Sequence, residues 1–449
     1  MDTSQLVVED TEATTFRVRR DVYTSPDLHV LEQDRVFRRA WLYLGHESEI
    51  SAPGDFVRRD VAQRSVVMTR DAAGAVHALV NTCPHRGAAV CRADEGNSKV
   101  FQCFYHAWTF SNDGSLVSRP GEDAYGPGAS PDGLGLARMR ASSYKGFVFV
   151  NPSGDAPDLL TYLGDAAYYL DLIADQSPKG MRVLPGCQRY EISANWKLMA
   201  ENSVDGYHTV PLHTTYFAYA AKVGARKARG TGPGYSRNLG NGHGVMAVCS
   251  PYGRPGSRWV EMFGADVRDE IERSRAWMFA THDRHKAFEM AEVTRNVWFF
   301  PNLVINDGVA ITIRKIDPVG HDRMVVTAWA MGPVGESDKL VRTRLNSFLT
   351  FYGPGGFAHP DDIEALESCQ AGFAATEVQW SDFSRGMARA PGSPTSNLDE
   401  GQIRSFWREW AARIDGRESP DQFDARWVPD LDALERANDE LTAATAAAS

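Results

Sequence analysis

The sequence predicts an α+β protein in two parts. A small all-β domain follows a helical leader, and a larger domain packs helices on an antiparallel sheet. Two observations carry this. Between Trp41 and about Val150, short alternating apolar runs are separated by turn signals, the mark of strands and hairpins. Beyond Pro157, helical periodicity gives way to three strand-like runs divided by Asn306-Asp307-Gly308 and Val319-Gly320-His321. The resulting boundaries are 1–40 for a leader whose helix packs on the larger domain, 41–155 for the all-β domain, 156–440 for the larger domain and 441–449 for a flexible tail.

Composition narrows the class. The 449 residues are 43% apolar and 24% charged, ordinary for a globular protein. A net charge of −10 argues against a nucleic-acid partner, and no apolar run is long enough for a membrane span. The acidic start lacks the order of a signal peptide, and six scattered cysteines suit a reducing compartment; both predict a cytoplasmic location.

Taken in order, residues 1 to about 20 are polar and expected to be mobile. Ser25-Pro26 reads as a cap and first turn for a helix from Asp27 to about Trp41. Strands are expected at Trp41–Leu44, Ser65–Met68, Val76–Val80, Val100–Cys103 and Gly146–Val150, with turns at Ala73-Gly74 and Asp113-Gly114. Asp158 to Ala174 reads as one helix, Gln188 to Ser193 as a strand, and Lys222 to Gly256 as a long loop fit to be a lid or channel rim. Ala265 to Ala291 reads as an exposed helix, followed by strands at 297–300, 309–316 and 324–330. Helices are expected at 336–351 and after Pro360, where Asp361 looks like the cap. Residues 380–400 form a loop, and helices at 402–414 and 431–441 close the chain.

Two stretches carry chemistry. In the first, Cys83-Pro84-His85 is followed by 17 residues and then Cys103-Phe104-Tyr105-His106. A zinc site is one reading, but zinc fingers usually place two cysteines before two histidines. A thiolate and an imidazole on each of two β-loops is what a Rieske [2Fe–2S] centre requires. Cys91 lies between the two halves of the motif and reads as an ordinary thiol, and Cys187, Cys249 and Cys369 read as buried small side chains rather than ligands. The second stretch, Asn195–His213, starts as an amphipathic helix and carries Asp205, His208 and His213. Asp205 and His208 would share a helical face. His208 and His213 would lie about 140° apart on a continuous helix, so Pro211 is expected to break it and let His213 swing back. Two histidines and an acid suit a mononuclear iron with open positions.

The run Cys-x-His-x17-Cys-x2-His followed by Asp-x-Tyr-His-x4-His resembles the catalytic α subunit of Rieske non-haem iron ring-hydroxylating oxygenases, over nearly the whole chain. The resemblance implies that Cys83 and Cys103 hold one cluster iron and His85 and His106 the other. It implies that His208 and His213 bind a mononuclear Fe(II). The third ligand would come from Gly356-Phe357-Ala358-His359-Pro360-Asp361-Asp362, with Asp362 at the ligand position. Asp205 matches the family's bridging carboxylate, linking His208 to the neighbouring subunit's cluster ligand. Where some members have glycine before this acid, this chain has Val204.

The implied reaction is ring hydroxylation of an aromatic small molecule with O2 and electrons from NAD(P)H. No Gly-x-Gly-x-x-Gly unit follows a strand, so a reductase, a ferredoxin or both would deliver them. The implied assembly is a homotrimer of α or α3β3 with a small β subunit. Motif wording is nearest the benzoate, cumate and anthranilate branch, which favours cis-dihydroxylation of an aromatic carboxylate. Monohydroxylation and an uncharged hydrocarbon substrate use the same residues. Val204, Val210, Leu212, Phe217, Trp298, Phe351 and Phe357 read equally as pocket walls or plain core, and Arg314 reads first as an inter-strand charge and second as a partner for a carboxylate. A bare Rieske electron carrier is the rival of another class, opposed by about 290 further residues with a second ligand set. A structural zinc protein is a third reading, separable by colour.

Overall fold

The computed structural model describes all residues except 1–2, 4, 225–231, 250–252, 390–392, 418–428 and 448–449. The chain divides into two compact units: Phe37–Tyr162, and Met1–Val36 together with Leu163–Ser449.

The smaller unit is all-β. Arg64–Arg70 lies between Val76–Val80 and Asp55–Val61, with Glu95–Asn97 at the edge of this four-stranded antiparallel sheet. A second sheet orders Leu116–Ser118, Thr109–Ser111 and Val100–Gln102, and a third orders Arg140–Tyr144, Phe147–Asn151 and Leu42–His46. Phe56, Val67, Leu79, Phe101, Trp108 and Phe110 form one core with Cys83 and Cys103, so the motif cysteines grow directly out of the hydrophobic centre. Asn81 fastens the first motif loop to the sheet. Its side chain accepts from the N–H groups of Val90 (3.0 Å) and Cys91 (2.8 Å) and donates to Cys91 O (2.8 Å) and Ser65 Oγ (3.1 Å).

In the larger unit an eight-stranded antiparallel sheet runs Met181–Val183, Arg323–Pro333, Ile311–Gly320, Leu303–Asp307, Val293–Phe299, His243–Cys249, Gly234–Gly240, and Gln188–Ile192 also pairs with Arg323–Pro333. Among the described residues, Ala166–Ala174, Trp196–Ser203, Arg284–Glu292, Asp338–Tyr352 and Gly401–Asp415 are helices that pack against it. One buried polar knot joins three of the unit's helices. Glu32, at the end of the helix Pro26–Glu32, accepts from Lys197 Nζ (2.6 Å) and from the indoles of Trp196 and Trp410 (2.8 Å each). Both charges are fully buried.

Several elements depart from the sequence reading. The polar leader holds two strands: Val7–Asp10 pairs with Thr15–Arg19, which also pairs with Trp380–Asp382, and Phe16 and Val18 are fully buried. The leader helix is shorter than expected, Pro26–Glu32 followed by a π-turn over Gln33–Phe37. Gly164, in the left-handed region (φ +51), splits Asp158 to Ala174 into Leu159–Leu163 and Ala166–Ala174. The described part of Lys222 to Gly256 holds the sheet-edge hairpin Gly234–Gly240 and His243–Cys249 rather than a loop. The second strand is buried at six of its seven positions, so it shows no alternation to read.

The stretch Ala265 to Ala291 is two helices, Arg268–Thr281 and Arg284–Glu292. Asp283 caps the second by accepting from Lys286 N–H, and Ala287 to Ala291 are buried, not exposed. Asn306 and Asp307 lie in the strand Leu303–Asp307 instead of a turn. The closing helix runs Leu431–Ala447, beyond the expected Leu441; 448–449 of the expected tail lie outside the described residues. Cys187 and Cys369 are exposed, contrary to the buried role expected of them, while Cys91 and Cys249 are buried. Among the described residues no helix is long and apolar enough to cross a membrane.

Candidate metal centres

The four motif residues of the smaller unit sit on two loops of matching construction. In the first, Gly87 N–H donates to Cys83 O and Cys83 N–H donates to Ala88 O, both at 2.8 Å. In the second, Ala107 N–H donates to Cys103 O (2.9 Å) and Cys103 N–H to Trp108 O (2.8 Å). The fourth residue after each cysteine turns the chain in the left-handed region, Gly87 at φ +78 and Ala107 at φ +57. Alanine there costs about 1 kcal/mol, so the second loop is held against its own preference by what surrounds it.

The loops bring like to like. Cys83 and Cys103 are buried, and burial, reinforced by the neighbouring Cys103, pushes the Cys83 thiol up. The rings of His85 and His106 lie 4.4 Å apart between centroids, and Trp108 stacks on His85 at 5.1 Å with 2° between planes. Two thiols on the inner side and two half-buried imidazoles on the outer fit a cluster with one iron bound by sulphur and one by nitrogen.

In the larger unit, Asn195 caps the helix Trp196–Ser203 by accepting from Lys197 N–H at 3.0 Å. The helix ends at Ser203, so Asp205 and His208 do not share a helical face as expected. Asp205 instead closes a turn: its carboxylate accepts from Tyr207 N–H (2.7 Å), His208 N–H (3.2 Å) and His208 Nδ1 (3.0 Å). Gly206 is required there, because a Cβ would lie 2.1 Å from the carbonyl oxygen of Asn397. Pro211 is not the break either. It sits inside the short helix Thr209–Leu212, in a first turn where its missing N–H costs nothing. The redirection happens at Val204–Gly206, and the two histidines flank that short helix.

Asp362 arrives from the first turn of His359–Gly372. Its Oδ1 lies 3.4 Å from both His208 Nε2 and His213 Nε2. Among the described residues, His208, His213 and Asp362 are the set of three whose ligand atoms all fall within 4.8 Å of one another. Asp361 is not the helix cap, because Ala358 holds that position; its Oδ2 stands 3.7 Å from His213 Nδ1.

Burial would lower the His208 pKa, but hydrogen bonds to Asp205 and Asp362 outweigh it and raise it to about 9. His213 is lowered by burial, which Asp362 only partly opposes. Burial would raise Asp362, yet the surrounding imidazoles hold it far below the usual carboxylate range. An ionised carboxylate beside two imidazoles is the donor chemistry of a divalent metal site, and a metal would displace the proton that His208 holds without one.

Three supporting residues escaped the sequence reading. Asn202 Nδ2 donates to Asp362 Oδ1 at 3.1 Å. His359, fully buried, sets Nδ1 3.4 Å from Asp362 Oδ2, and its Nε2 is 2.7 Å from the Tyr190 hydroxyl. His359 stood in the quoted run beside Asp362, but only the fold brings Tyr190 to it. Above the trio opens a cavity of about 260 Å³. A dry cavity of about 150 Å³ holds benzene, so a substituted single ring fits. Of the expected walls, Val210, Phe217 and Phe351 line it. Trp298 packs on Trp196 in the core, Phe357 borders a separate pocket, and Val204 and Leu212 do not face the cavity.

Fold and donor sets together define a class, an iron–sulphur-dependent non-haem iron oxygenase. Residues 40–137 match the Rieske [2Fe-2S] domain, and residues 181–416 match the ring hydroxylating alpha subunit catalytic domain. The chain is 35% identical to the anthranilate 1,2-dioxygenase large subunit of Acinetobacter baylyi, over 86% of this chain and 83% of that one. It is 41% identical to the chlorobenzene dioxygenase subunit alpha of a Cupriavidus species, over 87% and 88%. The crystal structure of naphthalene 1,2-dioxygenase from Rhodococcus, bound to indole, superposes with a TM-score of 0.77 at 30% identity, covering 90% of this chain and 95% of that one.

The chain belongs to the family of Rieske ring-hydroxylating oxygenase α subunits. It is an oxidoreductase of aromatic rings, and its cofactors are a Rieske [2Fe–2S] cluster and a mononuclear non-haem iron. α subunits of this kind are parts of multicomponent enzymes.

Proposed function

We propose that this subunit cis-dihydroxylates the ring of an aromatic carboxylate. The arene, O2, two electrons and two protons become a non-aromatic cis-diol, with both oxygen atoms on adjacent carbons. The observation that carries the reading is the trio of His208, His213 and Asp362 within 4.8 Å at a cavity sized for one substituted ring. In this reading the trio holds the mononuclear iron; Cys83 and Cys103 hold one cluster iron, and His85 and His106 the other. The iron supplies O2 activation beside the ring, and the cluster supplies electrons one at a time.

The protein's own groups set the geometry. Asp205 fixes the His208 ring through Nδ1, leaving Nε2 toward the metal position, as carboxylates beside ligating histidines do. Asn202 and the Tyr190–His359 pair hold the two oxygens of Asp362. Phe217, Val309 and Phe351 give the ring apolar walls. Asp205 also bridges to His106 of a neighbouring subunit, which calls for a homotrimer or an α3β3 assembly. Electrons come from cytoplasmic NAD(P)H through a reductase, a ferredoxin or both.

The relatives named for anthranilate, 2-halobenzoate and toluate favour an acid substrate. The relatives named for chlorobenzene and benzene favour the second reading, an uncharged arene. Product analysis under heavy-isotope O2, with a surrogate reductase and a panel of benzoates and hydrocarbons, decides. Two labelled oxygens on a benzoate cis-diol are expected. A single labelled oxygen means monohydroxylation, and turnover confined to toluene or chlorobenzene means the uncharged substrate.

A further inference from the structure

Arg314 is the anomaly of the larger unit. It lies on Ile311–Gly320, between Val304 and Ala328 of the adjacent strands, and is 3% exposed. Other buried cations of this unit have strong partners. Arg254 and Arg295 share Asp307, Lys197 meets Glu32, Lys315 meets Asp317, Arg344 meets Glu336, and Arg404 donates to two backbone carbonyls. Arg314 has, among the described residues, only neutral ones, the Tyr190 hydroxyl included. Nη1 points at Met199 Sδ (3.7 Å), Nη2 donates to Ser203 Oγ (3.4 Å), and the guanidinium carbon lies 5.7 Å from the Tyr352 ring centre. Nε has no partner.

A buried guanidinium without an anion carries a desolvation cost that soft contacts do not offset. Its open side is the cavity, which it lines together with His208, His213 and Asp362. It also stands near the trio. Ser203 is the neighbour in sequence of Asn202, whose amide touches Asp362, and the positive charge of Arg314 is felt at His359 and Tyr190. The planar fork of arginine matches a carboxylate through paired N–H donors.

We propose that Arg314 is the anchor for the substrate's carboxylate, which completes the ion pair and fixes the ring against the His208–His213–Asp362 corner. This rests on the oxygenase reading and adds its specificity-determining residue. A neutral arene of the same shape leaves the guanidinium unpaired, so the cavity selects acids over their uncharged isosteres.

The test measures binding and turnover separately on the holoenzyme. Dissociation constants for benzoate, 4-methylbenzoate, benzamide and toluene are compared among the parent, Arg314→Met and Arg314→Lys. Methionine keeps the length and apolar stem, and removing an unpaired buried charge should leave the ligand-free thermal midpoint unchanged or higher. The acids should bind Arg314→Met on the order of 100-fold more weakly than the parent. Arg314→Lys should fall between, benzamide should lose no more than about 10-fold through its one neutral hydrogen bond, and toluene should be unmoved. Equal losses for acids and neutral ligands, or no Arg314-dependent binding of either acid, overturn the anchor. Turnover judges the other reading: acids that bind through Arg314 but leave without oxygen refute hydroxylation and leave the anchor standing.

Discussion

Replacing Glu32 by glutamine tests how the leader supports the metal-binding helix. Glu32 and Lys197 are fully buried, and Lys197 opens the helix whose Asn202 holds Asp362. Glutamine keeps one oxygen for the Trp410 indole and the Lys197 ammonium, but it loses the second acceptor, which serves the Trp196 indole, and removes the counter-charge. Glu201 cannot replace it at neutral pH, because burial raises its pKa to about 8. Breaking a buried pair from one side costs about 3–5 kcal/mol. Burial already holds Lys197 below the usual lysine range, with Glu32 the largest opposing influence.

Without Glu32 the folded-state value falls further, and between it and the unfolded value the unfolded chain binds more protons. Stability of the variant therefore rises with pH relative to the parent. Calorimetric unfolding of the holoenzyme at pH 7 and pH 9 should show the loss shrinking at the higher pH. Glu32→Gln combined with Lys197→Met should recover much of it. A variant within about 1 kcal/mol of the parent at pH 7, or a loss equal at both pH values, refutes this account of the knot.

Two further outcomes follow from local geometry. Burial holds the pKa of His46, 4% exposed, down at about 4. The unfolded chain binds the extra proton as pH falls from about 6.5. The smaller unit should therefore lose about 3 kcal/mol between pH 6.5 and 4 through this group, and acid titration of His46→Gln should be flatter by that amount; parallel curves would contradict it. Gly206→Ala drives a Cβ to 2.1 Å from the Asn397 carbonyl oxygen. It should cost about 1–3 kcal/mol and lower mononuclear iron occupancy by metal analysis while the cluster spectrum stays unchanged.

Most of the site was legible in the sequence because its donors lie in short runs. Cys83 to His85 and Cys103 to His106 each fall in one loop, and Asp205 to His213 spans one turn and the short helix Thr209–Leu212. The route to their geometry was misread. Nothing in Asn195–His213 shows that Asn397 crowds Gly206, so the sequence alone points to Pro211 for the turn and to a helical face for Asp205. Asp361 had the chemistry of a cap and the wrong position, since the helix starts two residues earlier. Phe16 and Val18 alternate within a polar leader too briefly to announce a strand whose partner, Trp380–Asp382, is over 350 residues away. The isolation of Arg314 was invisible for the opposite reason: a missing partner has no sequence signature.

The central claim is that two separate donor sets hold two kinds of iron, and metal analysis with visible spectroscopy on the parent and Asp362→Ala tests it most directly. The parent should be brown, with the two cluster irons and one more per chain, and should hydroxylate an aromatic ring. Asp362→Ala should keep the full Rieske spectrum, hold one iron fewer and make no product. A colourless parent, or a variant with undiminished iron and turnover, would contradict the account.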